Sequence, residues 1–158
     1  MAGHMPFSKV DAWLRATRSM WLATVGPDQR PHLVPLWFYW DRNAIYFDTG
    51  IKTIKRRNLS SNDRVMAHVG DGDDPIIIVG RALQVTDLDE IARVDLAFRA
   101  KYVDPYSGAS AGYPETDQDV AYRIDIDRIM AWEYGTVATR TDFLFDGVTW
   151  QGVVPARI

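Results

Sequence analysis

Residues 30–59 read RPHLVPLWFYWDRNAIYFDTGIKTIKRRNL, and the way this stretch divides decides the fold. Pro31 to Trp40 is rich in aromatic and β-branched residues and reads as an extended segment. Asp41-Arg42-Asn43 reverses the chain into a second such segment, Ala44 to Thr49. Behind that strand end stand Lys52, Lys55, Arg56 and Arg57, four cations within six residues of a chain whose formal net charge is −3. Pro35 sits inside the first segment and lacks the N–H that a central ladder needs, so something other than a neighbouring strand should lie along it.

Outward from this stretch the pattern continues as short strands. Upstream, Met20 to Val25 is a β-rich run closed by the Gly26-Pro27-Asp28 turn, which makes a hairpin with Pro31 to Trp40. Before it, Val10, Trp13, Leu14 and Thr17 fall at helical spacing over residues 8–18, and Ser8 with Asp11 resembles a capping box. Downstream, Lys52 to Ser60 tolerates one or two helical turns. Arg64 to Val69 returns to strand, Gly70 to Pro75 turns, and Ile76 to Thr86 supplies a fifth strand. Ile91, Val94, Phe98 and Tyr102 line one face of a helix over 87–102. Residues 103–119, rich in Gly, Pro, Ser and Asp, form a loop long enough to be mobile or a lid. In VAYRIDID (120–127) alternation turns Val120, Tyr122, Ile124 and Ile126 to a core, and this sixth strand continues through 129–134 after a kink. Six short strands with peripheral helices predict a mainly β, antiparallel barrel.

Composition bounds the chemistry. The 158 residues, 47% of them hydrophobic, suffice for one core, and six Trp, seven Tyr and six Phe argue against disorder. MAGHM (1–5) reads as a cloning scar, leaving 6–158 as one domain. No apolar run reaches the roughly 20 residues of a membrane span and no signal peptide is evident, so the expectation is a soluble, cytoplasmic protein with no membrane partner. Cysteine is absent, which removes disulfides, thiolate catalysis, zinc fingers and iron–sulfur ligation. The mildly acidic balance offers no general field for nucleic acid.

The basic cluster therefore needs a local explanation. Helix-start amides beside Lys and Arg are a physical answer to a phosphate, and Thr49, Thr53 and Asn58 add neutral donors. A solvated charged face is the commoner fate of such a cluster, and pattern alone leaves it open. The proline-containing strand next to it suits a flat conjugated ring, which needs a few backbone groups at its polar edge and apolar surface on its faces. Core packing is the competing role for Trp37 and Trp40.

The order helix, strand, turn, RPHLVPLWF (30–38), YFDTG (46–50), TIKRRNL (53–59), Asn62-x-Arg64-Val65 and VGRA (79–82) resembles the flavin/deazaflavin oxidoreductase superfamily, whose members share the split β-barrel of pyridoxamine 5′-phosphate oxidase. The likeness runs from Phe7 to Ala82 and more weakly through Ala121 to Trp132 and Ala138-Thr139-Arg140. It implies that Lys55, in the KRRN motif (55–58), holds the cofactor phosphate with Thr53 as hydroxyl companion, and that Lys52, Arg56, Arg57, Asn58 and Thr49 assist or tie the helix to the barrel. It also implies a homodimer with the ring in the cleft between subunits, walled by Val34, Pro35 and Trp37, and a small-molecule substrate. Two departures stand out: Ile54 and His32 occupy positions where the vitamin-metabolism oxidases carry arginine. With the T-x-K-x-R-N-L form and the HVGDGDD turn (68–74), they bring the chain closer to actinobacterial members that use the deazaflavin coenzyme F-420. The expectation is hydride transfer between coenzyme F-420 and an electron-poor C=C or C=N acceptor, with a proton from solvent or from Tyr39 or Tyr106. The alternatives are an FMN-dependent oxidase or reductase and a non-enzymatic flavin or haem binder.

Three further signals are weak. Gly108-Ala109-Ser110-Ala111-Gly112 spells G-x-S-x-G but lacks the strand before and helix after that a nucleophile elbow requires. Asp71, Asp73 and Asp74 lack the remaining ligands of a calcium loop. His32 and His68 could ligate haem, although a strand histidine is usually a hydrogen-bonded structural residue.

Overall fold

Proline at position 35 is accommodated at the border of a sheet. In the structure, a computed structural model that describes residues 5–135 and 140–155, strand β2 (Pro31–Trp37) pairs only with β1 (Ser19–Val25), in the register Trp21↔Pro35 and Thr24↔His32. From that edge the order runs β2-β1-β5-β6-β7-β4-β3, with β3 at Tyr39–Trp40, β4 at Ala44–Gly50, β5 at Arg64–Gly70, β6 at Pro75–Gln84 and β7 at Asp119–Ala131. A hairpin of β8 (Thr141–Phe145) and β9 (Trp150–Val153) adds to β7. Every pairing is antiparallel. The mainly β, antiparallel class is as the sequence indicates; among the described residues the strands number nine rather than six. The segment 31–40 divides because the Phe38 amide leaves the ladder and donates to the Tyr102 hydroxyl at 2.9 Å. The β8–β9 hairpin has no counterpart in the sequence pattern, because its mixed sequence carries little alternation. Residues 138 and 139 of the extended likeness lie outside the described residues.

One face of seven strands converges on a single apolar cluster that includes Met20, Leu22, Phe38, Phe47, Val69, Ile78, Ile124 and Phe143, which is what curls the sheet around a core. Each such side chain contributes about 1.5–3 kcal/mol through burial. Helix α1 (Phe7–Ala16) closes one side with Val10 and Leu14 fully buried. Its N-cap is Pro6 with no side-chain cap, so the Ser8–Asp11 capping box is not made; the helix starts one residue before Ser8, and Asp11 instead accepts from the Trp40 indole at 2.8 Å and from Arg15. Met5, set aside in the sequence with the four residues before it, is buried in the core, and its amide donates to Thr141 at 3.1 Å.

Helix α3 (Leu88–Lys101) is capped by Asp87, whose carboxylate accepts from the amides of Asp89 and Glu90. It lays Val94 and Phe98 over the outer face of β4 and β7, and with Tyr46, Tyr102, Tyr113 and Ala121 these form a second cluster. The kink in the sixth predicted strand is a bulge in β7: Val79 faces Arg128 and Gly80 faces Ile126, leaving Asp127 extra. Gly80 is required there, because a Cβ would stand 2.3 Å from the Asp125 carbonyl oxygen. Residues 103–119 are pinned rather than free. Val103 bridges Ser110, the Ala111 amide donates to the Tyr102 carbonyl, and Tyr113 is buried with its hydroxyl donating to the Tyr122 carbonyl at 2.8 Å.

Candidate cofactor site at the start of the second helix

Helix α2 (Ile54–Ser61) crosses from the end of β4 to the end of β1, and its register is set from both sides. At its start the turn after β4 is closed by Thr53 N–H donating to the Gly50 carbonyl and Ile51 N–H to the Gln118 carbonyl. Thr53 is the N-cap: its hydroxyl accepts from the Arg56 amide at 3.2 Å and meets the Thr49 hydroxyl at 2.9 Å. The amides of Ile54 and Lys55 have no intrahelical partner, as the first turn of any helix requires, and the helix dipole makes that end favourable for an anion. On the inward side Leu59 joins the core and Asn58, 2% exposed, donates to the Thr24 hydroxyl at 3.1 Å. A Cβ at position 26 would stand 2.9 Å from Asn58 Oδ1, so glycine lets the helix seat.

The four cations occupy different places around this anchored turn. Lys52 and Arg57 are exposed. Arg56 is half-buried and reaches the Tyr122 hydroxyl, a contact that helps tie the helix to the barrel. Lys55 is half-buried, and desolvation holds its ammonium below the usual lysine range. Among the described residues none of the four has a carboxylate within 4.0 Å. Partial burial of an unpaired cation costs free energy that nothing in the described chain returns. A tetrahedral anion between the Lys55 ammonium and the free amides would satisfy both, so the donor set fits a phosphate. Asn58, read in the sequence as a further donor, serves the helix anchor, and its Oδ1 is buried without a hydrogen-bond partner.

The strand residues named for the ring divide between the two faces of β2. Pro35 and Trp37 point outward with Pro31 and Leu33, whereas Val34 and His32 point toward the barrel with Leu36. Val34 can therefore contribute its backbone, but not its side chain, to a wall formed with Pro35 and Trp37. The Nδ1 atom of His32 is buried and has no hydrogen-bond partner, while His68 Nε2 lies 3.2 Å from the Asp71 carbonyl oxygen and belongs to its own turn. Tyr39 is half-buried beside Tyr46, and Tyr106 projects from the 103–110 turn, 97% exposed. Sequence reasoning missed Thr24, Gly26 and Tyr122, which fix where the cations stand. Only the spacing of strands joined far apart in sequence could have pointed to them.

Beside the strand, the outer face of β2-β1-β5 exposes Leu33, Trp37, Trp21 and Met66, each 45–58% accessible and joined across the register pairs Trp21↔Pro35, Ala23↔Leu33 and Ala23↔Met66. A contiguous apolar face of this kind on an edge of the sheet is what an interface presents. Among the described residues no helix is long and apolar enough to cross a membrane.

Comparison with known proteins agrees with this architecture. The family model described as pyridoxamine 5′-phosphate oxidase matches residues 7–133. Among solved structures, a conserved hypothetical protein of Mycobacterium tuberculosis superposes with a TM-score of 0.69 at 24% identity, covering 84% of this chain and 88% of that one. A pyridoxamine 5′-phosphate oxidase-related, FMN-binding protein of Nostoc punctiforme gives 0.62 at 17% identity, covering 98% and 100%. An F420 reductase gives 0.59 at 23% identity, covering 75% and 94%. No curated protein matches the chain. With strands, α2 and its phosphate-type donor set in the matched span, the chain belongs to the pyridoxamine 5′-phosphate oxidase family of flavin-binding, split β-barrel oxidoreductases.

Proposed function

We propose that the protein is an oxidoreductase that uses the deazaflavin coenzyme F-420 to reduce a small electron-poor organic substrate, working as a homodimer with the cofactor between subunits. The observation that carries the anchored phosphate of this reading is Lys55, a half-buried cation with no carboxylate beside it at the capped start of α2, and the choice of F-420 rests on the T-x-K-x-R-N-L form (53–59) with Ile54 and His32 where the vitamin-metabolism oxidases carry arginine. Lys55, the Thr53 cap and the first helical amides hold the cofactor phosphate; Lys52 and Arg57 add longer-range attraction from their exposed positions. The outward face of β2, with Pro35 and Trp37, lies against one side of the ring. The edge of that strand leaves backbone groups for the ring's polar rim. Hydride transfer is the chemistry that the bound deazaflavin supplies. The chain's own part is to bind, to orient and to keep water away, for which no side-chain nucleophile is needed.

The apolar face of Trp21, Leu33, Trp37 and Met66 supports the dimer, because association would bury it. FMN is the second reading, favoured by the Nostoc punctiforme FMN-binding neighbour that matches over nearly the whole chain; the same phosphate donors serve either ring. Parallel equilibrium titrations with F-420, FMN and haem decide between them. Saturable F-420 binding with FMN markedly weaker is the expected result. Preferential FMN binding establishes the second reading, and a Soret band on haem addition with no flavin binding overturns both.

A further inference from the structure

A second set of free donors stands at the end of β4 remote from α2. Arg42, in the Asp41-Arg42-Asn43 turn between β3 and β4, has a φ of 82°, a left-handed backbone that suits glycine or asparagine better than a long side chain. Its carbonyl oxygen accepts from the Trp150 indole at 2.7 Å, which holds the turn against the β8–β9 hairpin. Its guanidinium lies 3.7 Å from the Asp11 carboxylate and makes no hydrogen bond among the described residues. Asp11 does not depend on it, because that carboxylate already accepts from Arg15 at 3.0 Å and from the Trp40 indole at 2.8 Å. A residue kept against its backbone preference, with a side chain that no neighbour requires, points to a role in binding.

Beside this turn opens a cavity of about 320 Å³, within the range of small-molecule sites. Its apolar wall is centred on Trp150, which stacks on Phe7 at 5.4 Å and 19° and is tilted against Phe145 at 5.2 Å. Val148, 84% exposed at the hairpin tip, extends that wall. The polar side carries the Arg42 guanidinium, whose fork of N–H donors matches a carboxylate, and the Ser8 hydroxyl, which has no partner among the described residues. None of the lining residues belongs to β1, β2 or β5, and the seven residues of β4 put roughly 20 Å between this turn and α2.

We propose that this cavity binds a small aromatic monocarboxylate, its ring against Trp150, Phe145 and Val148 and its carboxylate held by Arg42 and Ser8. Asp11 also lines the cavity and opposes a second negative charge, so the site selects one carboxylate over a phosphate ester. The cavity is separate from the cations of α2, from the ring wall on β2 and from the apolar face of β2-β1-β5, and the inference stands whichever cofactor the protein uses.

The test is an NMR titration of the full chain with 3-phenylpropanoate, its neutral amide, 2-phenylethyl phosphate and propanoate. The expected result is saturable binding of 3-phenylpropanoate, with shifts centred on the Trp150 indole N–H and residues 7–8, 42–43 and 145–150, at least about tenfold tighter than the other three. Arg42→Gly, which relieves the backbone, should keep the urea midpoint at or above that of the parent and bring the acid down to the level of the amide. Arg42→Lys should recover part of the loss. Val148→Asp should weaken the acid several-fold with the amide unchanged, and Lys55→Ala should change nothing. Equal affinity for acid and amide overturns the proposal, as does propanoate or the phosphate ester binding as tightly as the acid. So do shifts centred on α2, undiminished binding by Arg42→Gly, a lowered midpoint that would make Arg42 a structural residue, or no saturable binding below about 10 mM.

Discussion

Replacing Lys55 by alanine separates a ligand-binding cation from a structural one. In the free protein the ammonium is half-buried with no carboxylate to lose, so truncation orphans no partner and should leave unfolding free energy within about 0.5 kcal/mol of the parent. With a phosphate bound, the same change removes a charge-assisted hydrogen bond worth about 1.5–3 kcal/mol, which is roughly 10- to 150-fold in Kd. Lys52 and Arg57 remain as exposed charges, so residual binding should be salt-sensitive, and the gap between parent and variant should narrow as the Debye length falls from about 10 Å at 0.1 M to about 3 Å at 1 M. The sign of the pH dependence follows from the lowered pKa. An anion favours the protonated lysine, so parent affinity is constant below the free protein's Lys55 pKa and weakens as pH rises through it. Lys55→Ala should lack that limb. Fluorescence titration with F-420 and with FMN, alongside urea unfolding of the free protein, measures both quantities. A variant that binds within twofold of the parent, or one that loses stability instead of affinity, refutes the assignment.

Other perturbations test the frame around the site. Gly80→Ala should destabilise by about 1–3 kcal/mol or more in urea unfolding, because the new methyl meets backbone at the β7 bulge rather than a side chain able to swing away. Met66→Glu with Trp21→Ser should yield monomers in analytical ultracentrifugation while far-UV circular dichroism is preserved; a dimer of undiminished mass would place the interface elsewhere. Lys101, whose ammonium donates to the Phe38 carbonyl at 2.9 Å, is pushed down to about 8 by burial and by the neighbouring Arg18. Its folded pKa is below its unfolded one, so the unfolded chain binds more protons between them and thermal stability should gain as pH rises from about 8 toward the ordinary lysine value; Lys101→Met should remove that gain.

Much of the frame was legible along the chain because the signals are local. Alternation in VAYRIDID placed Tyr122 and Ile124 inward, and the offsets of Val94, Phe98 and Tyr102 gave the buried face of α3. The Asp41-Arg42-Asn43 reversal gave the β3–β4 hairpin. Pro35 indicated an edge, since a missing N–H is tolerated where only one side of a strand is paired. The β8–β9 hairpin was not legible, because Phe143 finds its place through contacts with Phe7 and Ile129 rather than through a pattern of its own. Nor was the packing of residues 103–119, whose loop-like composition hides the anchoring of Tyr113 against Phe98 at 5.6 Å.

The sequence by itself determined that four cations follow a strand end on an otherwise acidic chain, that a helix could begin there, and that a β-rich segment with an internal proline precedes it. Tertiary structure decided which cation is available. Asn58 turns in to Thr24, Arg56 leans on Tyr122, and Lys55 is left half-buried without a counter-charge, an allocation fixed by packing α2 across two strand ends. It likewise placed Val34 and Pro35 on opposite faces and brought Arg18 over Trp37 and Tyr102. Local periodicity reports which way a side chain points, whereas pairing and burial depend on partners remote in sequence that only the closed sheet supplies.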